Sequence, residues 1–148
     1  MAVTVKSITL WRSEVDNRPG VLAGALGPLA DAGANLRVAM AYRFPGDESR
    51  GAIEVYPISG RSATTAARRA GLSESGIPTL LVEGDDRAGL GASIASSLSE
   101  AGVNVAFLVA QVVGRRYAAV IGFDSKADAK KAAPLLRRAK PPSRRAAR

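Results

Sequence analysis

The chain matches itself. At an offset of 69 residues, DNRPGVLAGALGPLADAGANL (16–36) aligns without gaps on DDRAGLGASIASSLSEAGVNV (85–105). Identities fall at Asp16/Asp85, Arg18/Arg87, Gly20/Gly89, Ala23/Ala92, Leu29/Leu98, Ala32/Ala101, Gly33/Gly102 and Asn35/Asn104. These eight matches in 21 positions include Asp, Arg and Asn, so an Ala- and Gly-rich composition does not account for them. A chain of 148 residues suits one compact domain or two small ones. The duplication selects two, each built by the same rules.

Both copies follow one local pattern. An extended segment (Ile8–Val15; Thr79–Glu83) runs into an acidic turn and then a helix with apolar residues at helical spacing. These are Leu22, Leu26 and Leu29 in the first copy and Leu90, Ile94 and Leu98 in the second. An Ala-Gly pair closes each helix, with Gly33 and Gly102 suited to the left-handed position after the last turn. Alternating strands follow, Leu36-x-Val38-x-Met40 and Val103-x-Val105-x-Phe107-x-Val109. A long hairpin loop, 45–51, and a short one, Gly114-Arg115-Arg116, lead to strands Ala52–Ile58 and Tyr117–Phe123. Second helices are expected over about 62–72 and about 125–139. The order βαββα, twice, predicts an α+β fold of two ferredoxin-like units, each an antiparallel sheet with its helices on one face.

A ferredoxin-like unit needs a fourth strand after its second helix, and the sequence is short of strands. Residues 73–84 offer one, and nothing strand-like follows Arg138. The opening segment changes apolar parity from odd (Val3, Val5) to even (Ile8, Leu10), as a segment serving two sheets would. We expect residues 2–7 to complete the second unit, 8–15 to begin the first, and 76–84 to serve both. The modules divide as 1–75 and 76–139, followed by a basic, disordered tail at 140–148. Pro28 is expected to kink the first helix and Pro134 to start a fresh turn.

Composition narrows the chemistry. The chain has no His and no Cys, so it cannot build a Ser-His-Asp triad, a Cys-His pair, a zinc site or a disulfide from its own residues. No metal or cofactor is expected, and no enzyme activity, since the body offers no convincing carboxylate pair and Asp85-Asp86, neighbours in sequence, suit a helix cap better than an acid/base dyad. The net charge of +8 is uneven: residues 1–124 hold 12 bases and 12 acids, whereas nine bases and one acid follow residue 124. The opening MAVTVKSITLW has no basic leader before a long apolar core, and the best apolar run, Val105–Ala110, is far too short to span a membrane. A cytoplasmic protein without a membrane partner is expected.

The repeated turns, Asp16-Asn17-Arg18-Pro19-Gly20 and Asp85-Asp86-Arg87-Ala88-Gly89, hold the main functional signal. Backbone N–H groups at a helix N-terminus attract an anion such as a carboxylate, and Gly lets a ligand approach closely. Asp16 and Asn17 are suited either to cap the helix or to accept from an ammonium group.

A strand, then Asp-Asn-Arg-Pro-Gly-Val-Leu, then a helix, then Ala-Gly-Ala-Asn-Leu opening a strand, resembles the ACT domain, a small amino-acid-binding regulatory module. Asp-Asp-Arg-Ala-Gly-Leu with Glu-Ala-Gly-Val-Asn-Val resembles it more loosely, and the two copies cover nearly all of residues 8–139. The resemblance implies a stand-alone sensor that binds a small amino acid where modules pack side by side and acts on a regulated enzyme or another protein. By position it implies that Asn17, Gly20, Val21, Leu22 and Asn35 contact the ligand in the first copy, and Gly89, Leu90 and Asn104 in the second. Asp86 stands where the first copy has Asn17, and its charge would repel a ligand carboxylate. The first copy is therefore the better candidate, with Asp86 suited to an ammonium end. Val15 stands where some amino-acid-sensing members carry a polar residue.

The competing reading is a nucleic-acid or anionic-partner binding module acting through the basic C-terminal end. A βαββαβ layer is also an RNA-recognition scaffold, which stacks bases on aromatics of its central strands. Strands 51–56 and 117–123 lack the required Lys/Arg-Gly-Phe/Tyr-Gly pattern, and Tyr56, Tyr117 and Phe123 are assigned to packing. Nucleic acid is therefore not the expected partner. Open sheet edges favour pairing, either side by side within the chain or in a homodimer.

Overall fold

Every strand among the described residues finds a partner in one of two antiparallel sheets. The computed structural model describes residues 3–139. The first sheet is built from β2 (Trp11–Asp16), β3 (Val38–Phe44), β4 (Asp47–Tyr56) and β5 (Ser73–Glu74), in the order β3-β4-β2-β5, with helices α1 (Val21–Asp31) and α2 (Arg61–Arg69). The second uses β1 (Thr4–Ile8), β6 (Thr79–Asp85), β7 (Val105–Val113) and β8 (Arg116–Phe123), in the order β1-β6-β8-β7, with α3 (Leu90–Ala101) and α4 (Lys126–Arg137). One compact unit is Thr9–Gly76, and the chain from Ile77 onward forms the other together with the segment ending at Ile8.

The parity change near the start marks this crossover. β1 runs antiparallel to β6, with Thr4 opposite Glu83 and Ile8 opposite Thr79. The opening strand therefore sits with the later half of the chain rather than with a contiguous stretch 1–75. Ile8 goes with it and does not begin the first sheet. Residues 76–84 do not serve both sheets, because β6 has β1 on one side and β8 on the other and no edge left to share. The fourth strand of the first sheet is instead the short β5, where Glu74 and Ser73 pair with Trp11 and Arg12. The tail expected at 140–148 lies outside the described residues.

Both hairpins are tighter than expected. β3 ends at Phe44 and β4 starts at Asp47, so residues 47–51 belong to a strand and the link is Pro45-Gly46, with Gly46 at φ 81°. The corresponding link between β7 and β8 is Gly114-Arg115.

The cores are built from equivalent positions with different side chains. In α3, Leu90, Ile94 and Leu98 are buried against Leu80, Ala119, Ile121 and Phe123. In α1 the buried residues are Ala25 and Leu29, with Val21 and Leu26 partly buried, and Leu22 is 44% exposed. The inward stripe thus starts at Val21 and recurs every fourth residue, which leaves Leu22 off the core face. Ala25 replaces the bulk of Ile94, and Trp11 in the same cluster replaces Leu80, so large and small residues exchange places between the copies. Each fully buried large apolar side chain stabilises by about 1.5–3 kcal/mol.

The helix ends are also duplicated. After α1, the Gly33 N–H donates to Ala30 O at 2.9 Å and the Ala34 N–H to Leu29 O at 3.0 Å; after α3, Gly102 and Val103 donate to Ser99 and Leu98 in the same way. Both glycines take positive φ, 82° and 69°, as the left-handed stop requires. Neither proline interrupts its helix. Pro134 starts no fresh turn, and both Pro28 and Pro134 lie on exposed faces, where solvent satisfies the carbonyl left without a donor.

Deleting residues 1–8 should uncover the free edge of β6. We expect hydrogen exchange to lose protection in β6 and β8 while β2 and β4 keep theirs. Uniform loss in both sheets would show that β1 acts on the whole chain.

Candidate functional site

The acidic turns begin as strand ends. Asp16 closes β2 opposite Arg50, and Arg50 Nη1 donates to Asp16 Oδ1 at 2.7 Å. Asp85 closes β6 opposite Arg116, and Arg116 Nη1 donates to Asp85 Oδ1 at 2.9 Å. The next backbone amide is tied across the hairpin in both copies. Asn17 N–H donates to Ser49 O at 2.9 Å and Asp86 N–H to Arg115 O at 2.8 Å. These pairs fix where the chain leaves the sheet and turns toward the helix. They are exposed, so each is worth at most about 1 kcal/mol and acts mainly as a positional clamp.

The carboxylates consequently do not cap the helices. The capping position is Gly20 in α1 and Gly89 in α3, both left-handed at φ 88° and 87°, and neither helix has a side-chain cap. Three residues separate each Asp from its capping glycine, and each carboxylate is held instead by its arginine. The first helical bonds are Gly24 N–H to Gly20 O and Ser93 N–H to Gly89 O, both 2.9 Å. The mouth of α1, around exposed Leu22 and Ala23, thus presents backbone donors and the positive end of the helix dipole without an acidic residue in the first turn.

The copies differ at one side chain that matters. Asn17 Nδ2 donates to Glu48 O at 2.8 Å, bracing its turn against β4 by a second bond. Asp86, an acceptor only when ionised, cannot make that bond and is exposed. Val21 is half-buried and Leu22 lies outward. Leu90 is buried in the second core, so its side chain is a packing residue and its backbone is the part left to meet a ligand. Asn35 and Asn104 are exposed in the links before β3 and β7, and neither makes a hydrogen bond among the described residues. The structure gathers Asp16, Asn17, Glu48, Ser49 and Arg50 into one clamp, in which Asn35 makes no hydrogen bond. Arg50 and Arg116 escaped the sequence reading because they were assigned to hairpin loops; their common place just before the returning strand's apolar run was the available signal.

A second polar cluster was not foreseen at all. Glu54, in the middle of β4, is fully buried. Tyr42 Oη donates to its Oε2 at 3.0 Å, and Arg12 Nε lies 3.8 Å from its Oε1. Arg12 Nη1 donates to Glu14 Oε1 at 2.7 Å, and its guanidinium stands 5.8 Å over the Phe44 ring. Arg12 Nε and Glu54 Oε1 are buried without hydrogen-bond partners. Burial opposes the Arg12 charge, but the bond to Glu14 and the nearby Tyr42 and Glu54 outweigh it and raise its pKa. The Tyr42 hydroxyl is pushed above its ordinary value, first by burial and then by its bond to Glu54. Arg12 and Glu54 face each other in the β2–β4 register. In the sequence Glu54 was hidden among apolar strand residues.

These observations define the class: an α+β protein of two ferredoxin-like units, each with a glycine-opened helix following a clamped strand end. Solved structures share this fold over most of their length. Protein BT0572 from Bacteroides thetaiotaomicron is 14% identical, with 89% of this chain and 97% of that chain covered and a TM-score of 0.70. The ligand-free regulatory subunit of aspartate kinase from Thermus thermophilus is 16% identical, with 94% and 97% covered and a TM-score of 0.64. The Thermus flavus regulatory subunit of aspartate kinase is 17% identical at the same coverage, with a TM-score of 0.58. At these identities the likeness establishes the fold. No protein-family profile and no curated protein sequence matches the chain. Among the described residues there is no metal-binding group of three or more acidic, His or Cys residues, and no helix is long and apolar enough to cross a membrane.

The raised Tyr42 pKa sets a sign for alkaline stability. A hydroxyl held neutral in the fold stabilises fully below its unfolded value of 10.0, and that stabilisation is lost as pH rises through the higher folded value. Wild type should therefore lose stability more steeply than Tyr42→Phe above pH 10, in chemical denaturation followed across alkaline pH. Parallel curves would remove Tyr42 as the cause.

Proposed function

We propose that this protein is a non-catalytic regulatory protein that binds a small amino acid at the mouth of α1 and acts on an enzyme or another protein partner. The observation that carries this reading is the uncapped, glycine-opened N-terminus of α1, held at a strand end by the Asp16–Arg50 pair and the Asn17 bonds. First-turn amides would take the ligand carboxylate, and Leu22, exposed beside them, would meet its side chain. Asn17 keeps its Oδ1 as an acceptor for the ammonium, since its Nδ2 is held by Glu48. The second copy supports a weaker version of the same site, because Asp86 adds negative charge and Gly91 stands in place of Leu22. The likeness to regulatory subunits of aspartate kinase supports the amino-acid class of ligand.

A thermal-shift screen with the twenty amino acids tests this reading. A ligand that binds only the folded state raises stability by about 2.7 kcal/mol at a hundredfold excess over Kd. A selective upward shift for a few amino acids is expected, and flat responses would overturn the proposal. Gly20→Ala and Gly89→Ala impose the same strain at positive φ, about 1–2 kcal/mol each. The ligand-induced shift should disappear in the first and persist in the second. The reverse would move the site to α3.

A homodimer is favoured by β7. This edge strand carries exposed Val105, Leu108, Val109, Val112 and Val113 and no charge or proline that would discourage strand pairing. Light scattering should find a dimer that Val109→Lys dissociates, and a wild type monomeric at every concentration would refute it.

A further inference from the structure

The basic residues of the C-terminal end divide between a helix and the stretch beyond it, and the helix has a pattern. On α4, Ala129, Ala132, Ala133 and Leu136 are buried, while Lys126, Ala127, Lys130, Lys131, Pro134, Arg137 and Arg138, the last at its C-terminal cap, are exposed. With about 100° of turn per residue, Lys126, Lys130 and Arg137 fall along one side of the exposed face, and Lys131 and Arg138 along the other. Ala127 and Pro134 lie between them. The outer face of α4 is therefore two rows of cations flanking a strip of small apolar residues. None of the five cations takes part in an ion pair or hydrogen bond among the described residues. Two acids lie nearby: Asp124, exposed just before the helix, and Asp128, half-buried in its first turn, whose backbone N–H is taken by Ser125.

We propose that this face docks an acidic α-helical segment of a protein partner, laid along α4. From Lys126 to Arg137 the rows run for about 17 Å, three helical turns. The small strip lets another helix approach to an ordinary interaxial distance of about 8–10 Å, with its carboxylates meeting cations on both sides. A phosphate backbone fits less well. It would leave the Ala127–Pro134 strip without a partner, and the face offers no aromatic or amide group to a base. Residues 1–124, with equal numbers of acids and bases, add no net positive charge to support a long polyanion. A segment recognised in this way would be amphipathic, with small residues at the centre of one face and Glu or Asp on both flanks. The proposal goes beyond amino-acid binding and stands without it.

The test uses the full chain and two probes, a synthetic helical peptide with Glu flanking an Ala stripe and a short DNA duplex, by fluorescence anisotropy at low and moderate salt. Peptide binding tighter than duplex binding is expected. Lys126→Gln/Lys130→Gln/Lys131→Gln should weaken it about tenfold or more, whereas Arg61→Gln/Arg68→Gln/Arg69→Gln, an equal loss of charge on α2, should change it less than about twofold. Circular dichroism checks that each variant is folded. Lys126→Arg/Lys130→Arg/Lys131→Arg should bind like wild type and preserves the test if the Gln variant does not fold. Absence of peptide binding at low salt, equal weakening by the α2 and α4 variants, or tighter binding of the duplex would each overturn the proposal.

Discussion

The pairing of β1 with β6 is the interaction on which the whole later unit depends. An antiparallel sheet needs each interior strand to satisfy two edges, and β6 carries an almost continuous buried run, Thr79 to Val82. With β1 in place, β6 is interior and Asp85 is held at its end opposite Arg116. The chain then leaves the sheet at a defined point and angle, and α3 starts where its Leu90, Ile94 and Leu98 fall on the core. In the first sheet β2 has the equivalent position, with β4 and the short β5 on its two sides. The helix mouths inherit their geometry from these strand ends.

Duplication shows which features are mechanical and which were free to diverge. The aspartate–arginine clamp, the left-handed glycine before the helix, the glycine stop after it and the two-residue hairpin are present twice. They are the minimum needed to turn a strand into a helix and bring the chain back. Asn17 against Asp86 and Leu22 against Gly91 are not mechanical in this sense, since the same turn forms in one copy with the first residue of each pair and in the other copy with the second. Differences of polarity and bulk at an exposed mouth, on an otherwise conserved frame, are where two modules acquire unequal affinities.

The fold was legible because its signals are local and periodic: alternation in the strands, Ala-Gly at the helix ends, and a repeat that doubles each observation. Where a signal was two-valued, local reading chose the wrong branch. Leu22, Leu26 and Leu29 form a plausible stripe, yet the alignment puts Val21, Ala25 and Leu29 at the phases of Leu90, Ile94 and Leu98, which are the inward ones. Pro134 was read as a boundary because a proline in a helix loses a bond, but on an exposed face water makes up most of that loss. The candidate site was legible as a location, while the clamp was not, because Arg50 pairs with Asp16 only through strand register. Glu54 was illegible for the same reason: its compensation by Tyr42 and Arg12 comes from neighbouring strands, and nothing within a few residues announces it.

The swapped opening strand also has a meaning in time. During synthesis β1 is made well before its partner, which is not complete until residue 85, with Thr4 and Glu83 separated by 79 positions. The 9–76 unit has all its strands by then and can close as an insertion while β1 waits unpaired. The growing chain therefore carries a free strand until β6 has been made, and its one charge, Lys6 in the middle of TVKSI, restrains that strand from pairing with another nascent chain.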